Sequence, residues 1–397
     1  AILYQQNPEG YRWRLFWFAL FGVFCPIFLA AVFLGLAILA SCFLYRMGMK
    51  GTFSEPLAIV AVIGFTVAGG VIWAQWIRLP KPEGHIVRNP EAPELFQIIQ
   101  EVRQQLDAPT IHTVYLSNDF NMSVSQHPRF GLFGPRRNYL IVGLWALEAF
   151  SVEEIRSVIA HELGHLSRKH GYFNCWMYRL WVFWERLTKI DEQNFRNKFH
   201  HAGLFRWFFT WYEPHLLART MVLQKAHELE ADRFGMELSD RRTVLRQYLR
   251  FGVAATALEE VFWPGYFHEA HDEPLPPKDS FKRVVRFLGA LDDRNLLDAV
   301  KKALSKISLP YETHPSLRER LISLGYEIPE PEEVLAILSE GKETETRRAS
   351  TLLTESCLAH YRDHYNRALK AVHIAEWRMR HQEAKKARGK YELLDTK

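Results

Sequence analysis

The run from Leu15 to Leu44 is almost wholly apolar, interrupted only by small residues and Pro26. It exceeds the roughly 20 residues that cross a bilayer. It therefore predicts a membrane span, with tilt or a kink at Pro26 absorbing the excess length. Leu57 to Ile77 is a second predicted span, whose Gly64, Gly69 and Gly70 permit close helix packing. Tyr11, Trp13 and Trp17 precede the first span, and Trp73 and Trp76 end the second, where interfacial aromatics belong. A cleaved signal peptide is not expected, because the first block is too long and a second follows it. Arg12 and Arg14, with Arg78, Lys81 and Arg88, outweigh Arg46 and Lys50 in the connection. The expectation is an integral, multi-pass membrane protein with both termini and the domain after Ile77 in the cytoplasm, favouring a bacterial inner membrane.

The 397 residues hold a good-sized core beyond these spans, and a net charge of +5 is too mild to suggest nucleic acid as a partner. Cys25, Cys42, Cys175 and Cys357 form no C-x-x-C pair, which argues against a disulfide scaffold and a cysteine metal site. Chemistry is concentrated in His161-Glu162-Leu163-Gly164-His165. A helix places residues i and i+4 on one face, so both imidazoles can meet one zinc ion while Glu162 acts as general base on a metal-bound water. Ser151 and Glu154 read as a capping box, with Phe150 and Ile155 as its hydrophobic staple. The helix is expected from Val152 to His170, with Gly171 as C-cap. Its Glu153, Glu154, Arg156, Arg168 and Lys169 make it water-compatible, which argues against an intramembrane protease.

Arg78 to Pro93 reads as a linker, Glu94 to Leu106 as an amphipathic helix, and Thr113–Leu116 and Asn138–Val142 as strands. An extended peptide could add to a free edge at Asn138, Tyr139, Leu140, Ile141 and Val142. Trp176 to Leu187 and Leu204 to Tyr212 are aromatic and suit helices lying at the interface or against the spans. Met221 to Glu237 is a further helix, and Pro264 to Pro277 a proline-rich acidic, solvated loop. Helices are expected at Phe281–Leu291 and Leu296–Ser305 and beyond Pro331, where the basic end either meets anionic lipid or is solvated. A catalytic zinc needs a third protein ligand. Glu228 and Asp232 share a helix face, so either can bind metal while the other orients a histidine, and His227 is also available.

His161-Glu162-Leu163-Gly164-His165, then Glu228-Leu229-Glu230-Ala231-Asp232, then Thr313-His314-Pro315-Ser316-Leu317-Arg318-Glu319-Arg320 resembles, in order, the motifs of the membrane zinc peptidases. That family is typified by the heat-shock protease HtpX and the CAAX prenyl endopeptidases. The resemblance covers roughly Thr110 to Leu324. It implies an α+β, mostly helical chain: a gluzincin-type zincin domain with a small sheet, preceded by a transmembrane helical hairpin. It implies one zinc on His161, His165 and Glu228, Glu162 as base, Asp232 behind the ligands, and His314 stabilising an oxyanion. Arg320 would order its segment or meet substrate. The expected organisation is a membrane hairpin over 1–80, a metallopeptidase domain over 81–330 with membrane-associated helices near 172–223, and a basic helical extension over 331–397. The expected activity is endoproteolysis, by a zinc-activated water, of membrane or membrane-proximal polypeptides; the rival is a non-catalytic membrane scaffold with a structural zinc site.

Overall fold

The computed structural model describes residues 4, 6–75, 81–128, 136–166, 203–309, 312, 314–343 and 347–395. Helix α1 (Pro8–Gly48) runs unbroken through Pro26, its first turn capped by Asn7 Oδ1, which accepts from the Gly10 amide at 2.7 Å. Among the described residues it is the one helix long and apolar enough to cross a membrane, and only 17% of its apolar window is buried. A core helix of a soluble domain would be covered on most sides. Helix α2 (Glu55–Gln75) folds back on it and is a shorter apolar stretch as far as Gly70. A Cβ on Gly64 would stand 2.4 Å from the Phe33 carbonyl oxygen and 2.6 Å from Ala37 Cβ, so glycine is what lets the two helices touch. The end of the second expected span, at 76–77, lies outside the described residues, as does the aromatic segment 172–187.

After α2 come β1 (His85–Val87), α3 (Pro93–Gln105), β2 (Thr113–Ser117), β3 (Met122–Pro128) and β4 (Arg136–Gly143). Short α4 (Leu144–Ala149) leads into α5 (Val152–Leu166). The sheet order is β1-β2-β4-β3, with β2 and β4 parallel and the two outer pairs antiparallel. This corrects the reading of Asn138–Val142 as a free edge. β4 pairs on both sides, Leu140 opposite Val114 and Val124, so its backbone groups are spent within the sheet. The free edge beside α5 belongs to β3. Leu95, Ile99 and Val102 of α3, Leu116, Leu140 and Val142 of the sheet, and Ile155, Ile159 and Leu163 of α5 share one core.

The two helices expected at 204–212 and 221–237 are one continuous helix, α6 (Gly203–Leu238). Its early turns grip α1: the Tyr212 ring stacks on Phe18 at 4.9 Å and its hydroxyl donates to the Phe18 carbonyl at 3.0 Å. Tyr11 in turn donates to the Arg219 carbonyl at 2.9 Å, so the two helices run antiparallel. Then follow α7 (Arg241–Ala257), a π-turn over Leu258–Phe262, α8 (Trp263–His268), α9 (Ser280–Leu288), α10 (Leu297–Ser305) and α11 (Leu317–Ser323). The chain ends in α12 (Pro331–Glu343) and α13 (Glu355–Asp395).

Much of the segment expected as a solvated loop at 264–277 is therefore helical as far as His271. Tyr266, Phe267 and Ala270 bury themselves against Trp377 of α13, whose indole N–H donates to the Glu273 carbonyl at 2.8 Å. The C-terminal extension is likewise no loose tail, since Val334, Leu338, Tyr361 and Leu369 join the main core.

The start of α5 is fixed by the capping box. Ser151 Oγ accepts from the Glu154 amide at 3.1 Å, and Glu154 Oε2 accepts from the Ser151 amide at 2.8 Å. Glu154 is fully buried and also meets Arg246 at 2.9 Å and Arg250 at 3.3 Å from α7. Removing one partner of a buried pair leaves the other charges uncompensated, at a cost of about 3 kcal/mol. Glu154→Ala should therefore lower the thermal unfolding midpoint by several degrees in a tryptophan-fluorescence melt, while Glu153→Ala, on the exposed side of the same turn, should leave it unchanged.

Candidate metal centre

Two helices build the site. α5 contributes His161 and His165, and α6 lies across it carrying Glu228 and Asp232. Their approach depends on Gly164, where a Cβ would sit 2.5 Å from the Phe234 ring of α6. Any side chain at Gly164 would push the carboxylates away from the histidines.

His161 Nε2 and His165 Nε2 face each other at 3.2 Å with ring planes 89° apart. Glu228 Oε1 is 3.3 Å from His165 Nε2, and Glu228 Oε2 is 3.7 Å from His161 Nε2. Ligand atoms arranged tetrahedrally around zinc stand about 3.4 Å apart, so these spacings fit that ion. Two imidazoles and a carboxylate are also a donor set zinc favours. His161 Nδ1 stands 2.9 Å from Asp232 Oδ1, in a bent contact rather than a linear hydrogen bond. That contact favours the proton on Nδ1 and turns the Nε2 lone pair inward.

A ring of charge surrounds the ligands. Arg320 lies 2.5 Å from both Glu228 Oε2 and Asp232 Oδ1. Its helix, α11, begins at a second capping box: the Glu319 carboxylate accepts from the Ser316 amide at 2.8 Å, and Ser316 Oγ accepts from the Glu319 amide at 3.3 Å. Tyr248 of α7 donates to Asp232 Oδ1 at 2.7 Å. His314 is exposed at the rim, with Nδ1 3.0 Å from Glu228 Oε2.

Burial opposes ionisation of Glu228. The His314 hydrogen bond and the charges of His161, His165 and Arg320 outweigh it and hold the carboxyl well below the usual range. Burial, reinforced by the charge of His161, lowers His165 to about 4. Burial also acts against charge on His161, but Asp232 and Glu162 overcome it and raise its pKa. Burial raises Glu162 to about 7, with Glu228 adding to the effect and His161 and the Val124 amide working against it.

The fold thus gathers His161, Glu162, His165, Glu228, Asp232, His314 and Arg320. Arg320 is buried against two carboxylates rather than turned to a substrate. Asn138, Tyr139, Leu140, Ile141 and Val142 do not join the site. Asn138 is buried, its side chain donating to the Thr110 carbonyl at 2.9 Å, and Tyr139 packs on Tyr115 and His127. Sequence reasoning missed three contributors. The Val124 amide of β3 donates to Glu162 Oε2 at 3.1 Å, a backbone group that no side-chain pattern reveals. Tyr248 carries no motif. Gly164 stands inside the histidine motif, but its close contact depends on α6.

A small mixed sheet backing a His-x-x-x-His helix, with a carboxylate delivered from a second helix, is the architecture of a gluzincin-type metallopeptidase. The model of peptidase family M48 matches residues 91–328, which span all three motifs, and the chain belongs to that family. Among solved structures, the crystal structure of S. mikatae Ste24p aligns with TM-score 0.32 and 15% identity, covering 75% of this chain and 62% of that one. The chain therefore spans less than two thirds of that protein's length. No curated protein matches the chain.

The charge states predict how metal affinity depends on pH. With its pKa raised, protonated His161 competes with a metal, whereas His165 is neutral and Glu228 ionised across the neutral range. Zinc affinity should be flat above the His161 pKa and fall by up to about tenfold per pH unit below it. Chelator competition at a series of pH values would show this, and pH-independent affinity would contradict the assignment.

Proposed function

We propose that this chain is a membrane-anchored, zinc-dependent endopeptidase acting on membrane or membrane-proximal polypeptides. The observation that carries the reading is the convergence of His161, His165 and Glu228 at zinc-ligand spacing, with the Glu162 carboxylate tied to the neighbouring sheet edge. Zinc held by those three residues would polarise the scissile carbonyl and acidify a water.

The chain's own residues do the rest. Glu162 takes a proton from the attacking water and delivers it to the leaving amine as the C–N bond breaks. A carboxyl raised to about 7 is matched to taking and returning that proton near neutral pH. An extended substrate lies along the free edge of β3 rather than β4. The Val124 amide points away from the sheet toward Glu162, which marks that edge as facing the cleft. His314, at the rim, donates a hydrogen bond to the developing oxyanion. Asp232 orients His161, and Arg320 contacts both carboxylates and helps hold Glu228 ionised.

Helix α6 relates the site to the membrane. Glu228 lies sixteen residues beyond Tyr212, roughly 24 Å along an ideal helix, at the end leading past the Pro8 terminus of α1. The catalytic domain then lies on the same side as that terminus, and the arginines there favour the cytoplasm. In this reading 1–80 is a two-span anchor, 81–330 the peptidase domain and 331–397 an extension packed on it.

Detergent-purified protein loaded with zinc should cleave an unfolded polypeptide such as β-casein. Glu162→Gln should lower kcat by at least about 100-fold with zinc retained. Zinc retained without cleavage by the wild type would leave the non-catalytic scaffold. His314→Asn should reduce kcat by about 100-fold with KM nearly unchanged; a change confined to KM would remove His314 from the oxyanion role.

A further inference from the structure

A second pair of imidazoles meets outside the candidate metal centre. His85 opens β1, and α13 crosses that strand with four ring-bearing residues, His360, Tyr361, His364 and Tyr365. His85 Nε2 and His364 Nε2 face each other at 2.8 Å, with ring centroids 4.2 Å apart and planes at 85°. The His161–His165 pair is arranged similarly, with 3.2 Å between Nε2 atoms, centroids 4.8 Å apart and planes at 89°; the His85–His364 gap is shorter, a hydrogen-bond length that must open by about 0.5 Å to span a tetrahedral zinc. Nitrogens brought this close repel each other if both imidazoles are protonated. At this distance one proton is shared in a hydrogen bond, and a slight separation of the rings would let both nitrogens face a cation instead.

The surroundings hold the pair in place. The rings of Tyr361 and Tyr365 lie 5.3 and 5.8 Å from that of His85, and the Tyr365 hydroxyl donates to the Leu116 carbonyl at 2.5 Å. Leu116 is paired with His85 in the sheet, so one tyrosine fixes both the helix and the strand. Burial, together with the charges of His364 and His360, lowers the pKa of His85, leaving a lone pair available at neutral pH. His360 precedes His364 by four residues, the spacing that makes two helix histidines chelate. It is exposed and can turn toward the pair, while His85 and His364 are half-buried.

We propose that His85 and His364, completed by His360, form a second divalent transition-metal site that clips the C-terminal helix to the first strand. An all-imidazole donor set suits zinc, copper(II) or nickel. The clip joins residues 279 positions apart, so metal binding there stabilises the packing of the extension on the catalytic domain. The inference is independent of the proposed peptidase activity.

The test counts zinc. Full-length protein in detergent is dialysed against buffered micromolar free zinc, and bound metal is measured by plasma mass spectrometry. Wild type should hold two zinc ions per chain. H85Q and H364Q should each hold one and still cleave β-casein, and E228Q should lose the other ion. One ion in wild type and in both histidine variants would show that the pair is only an imidazole–imidazole hydrogen bond. Two ions in the variants would place the extra metal elsewhere, and either result overturns the proposal. A second measurement needs no variant: zinc should protect His85 and His364, but not exposed His268, from diethylpyrocarbonate as read by peptide mass spectrometry. Unchanged modification of the pair would also overturn it.

Discussion

The close crossing of α5 and α6 at Gly164 is the contact on which the rest of the site depends. Imidazoles from one helix and carboxylates from another reach a common point because the Phe234 ring lies flush against a backbone without a side chain. Bringing Glu228 and Asp232 into a buried space has an electrostatic cost, since two carboxylates repel and both lose water. Arg320 offsets that cost by contacting both, and Tyr248 adds a hydrogen bond to Asp232. The motif around His314 is therefore also an electrostatic support, folded into place by the cap at Ser316.

One continuous helix relates this site to the apolar N-terminal helix. α6 packs on α1 through Tyr212 and Arg219 at one end and presents Glu228 at the other. A shift of α6 relative to α1 would move the carboxylate ligand against the histidines of α5. The sheet meets α5 through the Val124 amide and Glu162, so the Glu162 carboxylate is aligned by the same strand that offers the free edge. The C-terminal helix lies against the strand that carries His85 and buries Trp377 against Tyr266, Phe267 and Ala270.

The elements legible in the sequence share one property: local spacing governs them. The capping box at Ser151 and Glu154, the i,i+4 histidines, the strands near 113–117 and 136–143 and the apolar helix α1 rest on contacts within a few residues. The readings that failed all depended on distant partners. Asn138–Val142 reads as a strand from its own residues but not as an interior one, because its alternation carries no sign that β3, Met-Ser-Val-Ser-Gln-His-Pro, pairs on its other side. Residues 264–271 carry proline, glycine and acid yet form helix, because Trp377, more than a hundred positions away, covers their aromatic rings.

Sequence alone determined a helix long and apolar enough to cross a membrane, a water-compatible helix bearing two histidines and a glutamate beside them, and the residues that could complete a metal site. It did so because helical periodicity and side-chain chemistry are local. The tertiary structure decided which strand is an edge, that Arg320 serves the carboxylates, and how closely α5 and α6 approach. It also decided that α13 lies against His85. These outcomes depend on hydrogen-bond pairing and burial between segments distant along the chain, where no single segment fixes which partner its backbone or side chains will meet.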